Sequence, residues 1–228
     1  MIRVTENLAA VRLEVENVAE VAGRKASDLT VVAVSKRHGV DAIQAAFDAG
    51  QRDFGENFVD EALGKIDTLA DQGIVWHYIG AIQSNKTRDI ATNFDWVHTV
   101  DREKIARRLS RQRPASMPAL NVCIQVNIDN EPQKAGIDAE NLAELAAFID
   151  ALPGLQLRGL MCLPRPRDDE ASQRAPFRAL ADLAKSLGRT LPSVDTLSMG
   201  MSGDMAAAIR EGATILRIGT AIFGAREP

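Results

Sequence analysis

The segment LTVVAVSKRHG, residues 29–39, decides the fold of this chain. Its first six residues are apolar or β-branched and show no polar alternation, which is typical of a strand buried on both faces of a parallel sheet. Ser35 and Lys36 follow this strand directly. In α/β folds, ligands and chemistry gather at the carboxyl ends of the parallel strands. The segment therefore predicts a buried strand with a lysine at its functional end.

Two roles are open to Lys36 on this segment alone. A partly buried lysine, or one beside another cation, has a lowered pKa, and its free amine can then form a Schiff base with an aldehyde. The alternative is a lysine at a strand end that simply reaches water. Without further motifs, the second role is favoured.

Strand-like and helix-like segments alternate along the rest of the chain. Seven further short apolar segments predict strands, at residues 53–56, 75–79, 96–100, 119–128, 157–163, 196–199 and 214–218. One helical pattern separates each strand from the next, and Asp101 and Asp138 are placed to cap two of these helices. Ahead of the first strand, apolar residues at helical spacing predict a leading helix, with a buried stripe at Leu8, Val11, Val15, Val18 and Val21.

This alternation predicts an α/β protein, a (β/α)8 TIM barrel with an extra N-terminal helix. An open doubly wound sheet is the alternative. The even spacing of the strands favours the barrel, and so does the lack of a dinucleotide-binding glycine fingerprint after the first strand. The sequence contains no linker or low-complexity tract, so we expect residues 1–228 to form a single domain.

Composition narrows the class of partner. The chain has 228 residues, of which 25% are charged, and a formal net charge of -4, which gives no general basis for binding nucleic acid or an anionic membrane. No apolar segment approaches the roughly 20 residues of a membrane helix, and residues 1–23 are a charged amphipathic pattern rather than a signal peptide. We therefore expect a cytoplasmic protein. Cys123 and Cys162 lie in strand-like segments, which predicts buried thiols rather than a disulfide.

Two segments after the last predicted strands indicate a phosphate site. LSMGMSGD at 197–204 and RIGT at 217–220 place small residues and hydroxyl groups after strands seven and eight, where this fold repeatedly binds phosphate. The alternative is that Gly200 and Gly203 only make a tight turn. The adjacent Gly219 and Thr220 favour phosphate binding.

Polar residues within the strands predict an occupied barrel mouth. Arg217 lies between two apolar neighbours, so its side chain should point into the barrel, where a buried guanidinium needs a ring nitrogen or carboxylate as partner. A surface ion pair is the alternative. Glu56 is a candidate ion-pair partner for Lys36 or Arg217. The histidines share no metal-ligand spacing, which predicts orienting or core roles for His38, His77 and His98.

Longer motifs make the sequence similar to a known family. The motifs are AVSK at 33–36, FGEN at 54–57, WHYIGAIQSNK at 76–86, IQVNI at 124–128, KAGI at 134–137, RGLM at 158–161, LSMGMSGD at 197–204 and RIGTAIFGAR at 217–226. In this order they resemble the pyridoxal phosphate homeostasis protein family, single-domain relatives of the alanine racemase N-terminal domain, a barrel of the fold type III class of enzymes dependent on pyridoxal 5'-phosphate (PLP). The resemblance runs from about residue 5 to 226.

The resemblance implies contacts with PLP for ten residues, and a role in PLP exchange for Lys134. Lys36 would hold the cofactor as a Schiff base, and Lys134 matches a family lysine near the pocket mouth that would serve PLP exchange. Arg217 would face the pyridine nitrogen. The ring would be lined by Asn57, Ile79 and Gly80, and the phosphate would be surrounded by Ser198, Met199, Gly200, Gly219 and Thr220.

The same resemblance favours a carrier over an enzyme. An arginine at the ring nitrogen leaves the pyridine largely unprotonated and weakens it as an electron sink. The related racemases use a tyrosine from a partner's β-domain as second base, whereas the one tyrosine here, Tyr78, lies inside strand three. We therefore expect a monomer that carries or buffers PLP in intracellular vitamin B6 homeostasis, with PLP-dependent apo-enzymes as recipients and no robust catalysis. The alternatives are a weak PLP-dependent amino-acid racemase and a Schiff-base aldolase that acts on a phosphorylated sugar without PLP.

Overall fold

Short runs of β-branched and aliphatic residues form a closed parallel barrel in the computed structural model, which describes residues 3–224. Each strand pairs with the next along the chain, and the eighth pairs with the first, with Thr30 opposite Ile215 and Ala33 opposite Ile218. The predicted (β/α)8 barrel is thereby confirmed. The strands are β1 (Thr30–Val34), β2 (Asp53–Glu56), β3 (Val75–Tyr78), β4 (Trp96–Val100), β5 (Leu120–Val126), β6 (Leu155–Cys162), β7 (Thr196–Ser198) and β8 (Ile215–Ile218).

Helices cover the outside of the barrel and bury its outer face. They are α1 (Val4–Val21), α2 (Val40–Asp48), α3 (Val59–Thr68), α4 (Thr87–Asn93), α5 (Glu103–Gln112), α6 (Leu142–Asp150), α7 (Glu170–Leu187), α8 (Met205–Arg210) and α9 (Thr220–Phe223). Within residues 3–224, no helix combines the length and the hydropathy of a membrane span. The four-residue α9 was not predicted, because it is too short to show a helical period.

The leading helix α1 packs against α2, α8 and α9, and so covers the seam where β8 meets β1. Its buried stripe is Val4, Leu8, Val11, Val15 and Ala19. Val18 is partly buried and packs against the core, whereas the predicted continuation to Val21 is wrong, since Val21 is 76% exposed. Six residues after Val15, Val21 lies about 120° around the helix from the buried stripe.

Both predicted aspartate caps are wrong. Asp101 accepts a hydrogen bond from the Arg102 side chain, and Arg102 is itself the residue before α5. Asp138 precedes a short 3-10 turn, and its side chain makes no capping bond. The aspartate that does cap a helix is Asp169, whose Oδ1 accepts the Ser172 amide at 2.9 Å at the start of α7.

Candidate functional site

A cavity of about 270 Å³ opens at the carboxyl ends of the strands, where the sequence predicted the site. Six of the ten predicted PLP contacts line it, namely Lys36, Asn57, Ile79, Arg217, Gly219 and Thr220. Gly80, Ser198, Met199 and Gly200 lie outside this lining. Six residues that were not predicted as contacts complete the wall, namely Val34, Met161, Leu163, Met201, Ser202 and Gly203.

The turn that carries Lys36 is anchored on its amino side by a buried ion pair. Lys65, on α3, donates to the backbone oxygen of Ser35 at 2.9 Å and to Glu56 Oε1 at 2.7 Å. Ser35 Oγ donates to the same carboxylate oxygen at 2.7 Å. The prediction that Glu56 pairs with Lys36 or Arg217 is therefore wrong, because Lys65 occupies it. Burial raises the pKa of the Glu56 carboxyl, and the Lys65 charge opposes that shift.

The carboxyl side of the same turn is anchored by Glu61. Its Oε1 accepts the Arg37 amide at 2.5 Å and the Lys65 ammonium at 2.6 Å. Arg37 has a φ of 63°, in the left-handed region that non-glycine residues rarely adopt, and the bond to Glu61 stabilises this conformation. The backbone on both sides of Lys36 is thus tied to one group of side chains, Glu56, Glu61 and Lys65, which we call the Lys65 cluster.

Gly80 fixes the position of Asn57 without lining the cavity. A Cβ at position 80 would lie 2.0 Å from the Asn57 backbone oxygen, so only glycine allows this close approach. Asn57 Oδ1 is buried and has no hydrogen-bond partner within residues 3–224. Because a buried acceptor without a donor is costly, this oxygen at the cavity wall is suited to a ligand.

The segment after β7 turns sharply and places two backbone amides at the cavity. Gly200 has a φ of 94°, and its backbone oxygen accepts the Arg217 amide at 3.0 Å. Met199 is fully buried beneath the turn. The amides of Ser202 and Gly203, which line the cavity, have no acceptor in the part of the chain that the structure describes. Adjacent unpaired amides of this kind favour an anion.

Arg217 points into the barrel, as predicted, and is 4% exposed. Its Nη1 donates to Ser198 Oγ at 2.7 Å, and its Nη2 donates to the Cys162 backbone oxygen at 2.9 Å. Burial lowers the pKa of the Arg217 guanidinium. Burial also raises the pKa of the free thiols of Cys123 and Cys162 to about 12, so both are inert thiols, as the sequence indicated.

A chain of hydrogen bonds runs through the barrel from Arg217 to its amino end, and the sequence analysis missed it. Ser198 Oγ lies 2.7 Å from His98 Nδ1, His98 Nε2 lies 2.9 Å from His77 Nδ1, and His77 Nε2 lies 3.0 Å from Asp53 Oδ1. We call these five residues the interior chain. One signal was present: two histidines inside apolar strands must find hydrogen-bond partners, and β3 and β4 are neighbours.

Of two further residues discussed from the sequence, Lys134 lies next to the cavity and His38 lies outside its lining. Lys134 donates to the Leu163 backbone oxygen at 3.3 Å, next to the cavity wall, and pairs with Glu131 at 2.6 Å. The ring of His38 stacks on Phe223 outside the cavity lining, at a centroid distance of 5.1 Å. The end of the RIGTAIFGAR motif, residues 225 and 226, lies outside the described residues.

Comparison with known proteins supports the family resemblance over nearly the whole chain. The sequence profile described as the alanine racemase N-terminal domain matches residues 7–227. A pyridoxal phosphate homeostasis protein of Pseudomonas aeruginosa is 52% identical over 227 residues, which cover 100% of this chain and 97% of that relative.

Solved structures agree with the sequence relatives. The structure of PipY from Synechococcus elongatus without PLP is similar, with a TM-score of 0.87 and 36% identity, covering 97% of this chain and 100% of PipY. The structure of PipY with PLP bound has a TM-score of 0.85 at the same identity and coverage.

Proposed function

This chain belongs to the alanine racemase N-terminal domain family, and from that premise we propose that it binds PLP and carries or buffers it in vitamin B6 homeostasis. The relative from Pseudomonas aeruginosa is named for PLP homeostasis, and PipY has a structure with PLP bound. The observation that carries the proposal is the lining of one cavity. It brings together the amine of Lys36, the guanidinium of Arg217 and the amides of Ser202 and Gly203.

The lining fits the three functional groups of PLP. The aldehyde matches Lys36, the pyridine nitrogen matches Arg217 as a hydrogen-bond donor, and the phosphate matches the unpaired amides of Ser202 and Gly203. Gly219 and Thr220 line the cavity on the same side. In this assignment, the phosphate contacts shift along the chain from Ser198, Met199 and Gly200 to residues 201–203. Ser198 then acts on Arg217 rather than on the phosphate.

When bound, PLP supplies an aldehyde that reacts with primary amines and a ring that can withdraw electrons. The residues of this chain favour holding it over using it for catalysis. Arg217 cannot give up its proton, so the ring nitrogen opposite it stays largely unprotonated. Tyr78, the one tyrosine of the chain, is buried, packs against Phe94 and donates its hydroxyl to the Ala81 backbone oxygen at 3.0 Å. Burial raises the pKa of Tyr78 to about 12, which makes it a poor second base at neutral pH.

The first test is to reduce the PLP-saturated protein with borohydride and to identify the labelled peptide. We expect the label on Lys36, and we expect Lys36→Ala to lose both the label and the absorption band of bound PLP. Lys185→Ala, an exposed lysine near the end of α7, is the matched control and should keep both. A label on another lysine, or no label on saturated protein, would contradict the proposal.

The second test separates the carrier from the racemase. The purified, PLP-loaded chain is incubated with a panel of L- and D-amino acids, and the enantiomers are quantified over time. We expect no steady racemisation. Turnover that Lys36→Ala abolishes would instead establish a PLP-dependent racemase.

We propose three finer points on the same basis. The chain acts as a monomer in the cytoplasm and delivers PLP to apo-enzymes that depend on this cofactor. Light scattering on the purified chain measures its mass directly, and a mass of twice 24.7 kDa would contradict the monomer. Delivery is measured as the activity that an apo-enzyme gains from the loaded protein, with Lys36→Ala protein as the control.

A further inference from the structure

We propose that His98 and His77 are positioning residues, which hold Arg217 at the cavity and connect its charge to Asp53 at the opposite end of the barrel. The proposal rests on the proposed function, because the group that Arg217 would meet is the pyridine nitrogen of PLP. It concerns residues that do not line the cavity. Its basis is the geometry of the interior chain.

The donors and acceptors of the interior chain can be ordered in one direction. Arginine has only donors, so Ser198 Oγ must accept from Arg217 Nη1. In this order the Ser198 hydroxyl proton is donated to His98 Nδ1, 2.7 Å away, which is then unprotonated. A neutral imidazole with a bare Nδ1 carries its proton on Nε2, and His98 Nε2 faces His77 Nδ1 at 2.9 Å.

The same logic continues to the far end. Because His77 Nδ1 accepts from His98, the proton of a neutral His77 sits on Nε2 and is donated to Asp53 Oδ1 at 3.0 Å. Both histidines are therefore neutral, with the proton on Nε2. In the opposite order, His98 would carry its proton on Nδ1, and the bare Nε2 of a neutral His77 would face a carboxylate. That order requires either a positively charged His77, at a position that is 1% exposed, or a protonated Asp53 that donates to His77 Nε2.

Burial explains why Arg217 needs this support. Both side-chain hydrogen bonds that it makes within residues 3–224 go to neutral oxygens, those of Ser198 and Cys162. His98 is fully buried, and burial together with the neighbouring His77 and Arg217 lowers its pKa well below the usual value, which keeps it neutral. A neutral ring at this place accepts the Ser198 proton and so turns the serine lone pairs toward Arg217.

Asp53 completes the arrangement as the one anion of the interior chain. Its side chain is 28% exposed and lies in the wall of a second cavity, of about 390 Å³, at the amino end of the barrel. Arg12, Glu16 and Arg52 line the same cavity. Arg217, the positive end of the interior chain, thus faces the PLP cavity, and Asp53, its negative end, is partly exposed to solvent.

The proton positions can be measured without PLP. The ring nitrogens of the ¹⁵N-labelled full chain are observed by long-range ¹H–¹⁵N correlation at neutral pH. We expect His77 and His98 to show a protonated Nε2 and a bare Nδ1. A protonated His98 Nδ1, or a doubly protonated His77, would overturn the proposal. In Ser198→Ala protein, the His98 Nδ1 signal should move while the signals of His38, the third histidine, stay unchanged.

The effect on PLP is measured by comparing two replacements of His98. His98→Gln keeps one acceptor and one donor, whereas His98→Leu keeps neither. We expect about tenfold weaker PLP binding and a shifted PLP absorption band for His98→Leu, with near-normal values for His98→Gln. Equal losses in both variants would show a packing role only and would overturn the proposal.

Asp53→Asn serves if His98→Leu does not fold. It keeps an acceptor for His77 and removes the charge. We expect a shifted His77 Nε2 signal and severalfold weaker PLP binding, and no change in either would also overturn the proposal. Borohydride labelling of Lys36 in each variant shows whether PLP binds at all, so failure of the interior chain and failure of the proposed function are distinguishable.

Discussion

At the scale of single residues, the Lys65 cluster anchors the backbone on both sides of Lys36. Lys65 is 7% exposed and makes three hydrogen bonds, to Ser35, Glu56 and Glu61. All three donors of its ammonium group are thereby used. Lys36 directly follows Ser35, the residue to which Lys65 donates, and lines the cavity.

The first prediction concerns the removal of this buried charge. Lys65→Met retains the length of the side chain and leaves Glu56 and Glu61 without a cation. Breaking a buried pair costs about 3 kcal/mol, and we expect a loss of that order in the free energy of unfolding, measured in urea. Lys86→Met is the matched control, because its partner Asp60 is 76% exposed and exposed pairs contribute less than about 1 kcal/mol. Equal losses in the two variants would contradict a special role for Lys65.

Residue-level predictions succeeded where the strand itself sets the direction of the side chain. Lys36 follows β1 and Arg217 occupies an inward position of β8, and both follow from the two-residue period of a strand. Glu56 could not be assigned in this way. Its partner Lys65 comes from α3, and the rotation of a helix against a barrel depends on packing that no local pattern records.

At the scale of elements, one carboxylate links α7 to the end of α8. Glu211, the residue after α8, accepts from Arg174 Nε at 2.6 Å and from Arg178 Nη2 at 2.9 Å. The bonds to Arg178 and Arg174 lower the pKa of the Glu211 carboxyl below its ordinary value of 4.5. The loop between β7 and α8 forms one wall of the cavity, so this link also supports the site.

The second prediction is a pH dependence of that link. A carboxyl whose pKa is lowered by folding stabilises the protein above its unfolded pKa and loses this contribution as the pH falls. Since the two arginines are partly exposed, we expect Glu211→Gln to cost about 1 kcal/mol at neutral pH and almost nothing at about pH 3. Urea unfolding of both proteins at the two pH values measures this. Glu103→Gln, in an exposed pair with Arg107, should show little difference at either pH. A cost for Glu211→Gln that persists in acid would contradict the assignment.

Element types and strand bounds were predictable, whereas the residues that cap the helices were not. All eight predicted strands agree with the structure to within two residues at each end, because buried parallel strands are continuous apolar segments. The caps at Asp101 and Asp138 failed because the helices begin further along the chain: Arg102 is the residue before α5, and a 3-10 turn separates Asp138 from α6. Six of the ten predicted site residues line the cavity, because the barrel topology determines which strand ends meet. Ser198, Met199 and Gly200 lie outside the lining, because the path of the turn after β7 does not follow from a periodic pattern.

At the scale of the whole molecule, closure of the barrel depends on the seam between β8 and β1. Helix α1 covers this seam, and Asn7 Nδ2 donates to the Ile222 backbone oxygen at 3.0 Å, which ties the start of the chain to α9. Leu8 is fully buried on the packed face of α1. We propose that the whole chain unfolds as a single domain, because its first helix packs against α8 and α9, near the other end of the chain.

The third prediction tests this seam. Leu8→Ala removes a fully buried side chain, and we expect the free energy of unfolding to fall by about 2–5 kcal/mol. Leu13→Ala, on the opposite face of α1 with 58% exposure, should change it by less than about 0.5 kcal/mol. Helical content and tryptophan fluorescence should lose signal together in both variants. Separate transitions for the two signals would contradict a single cooperative unit.

The interior chain has a consequence for how this barrel could be redesigned. Barrels of this type usually fill their centre with layers of branched aliphatic side chains, whereas here two imidazoles, a serine and a guanidinium occupy that space. Replacing a buried polar network with apolar groups of similar volume is often neutral or stabilising. A sequence optimised only for thermal stability would therefore tend to replace these four residues, and on our proposal it would also bind PLP more weakly. Their polarity is therefore an example of a trade-off between stability and function at the centre of the barrel.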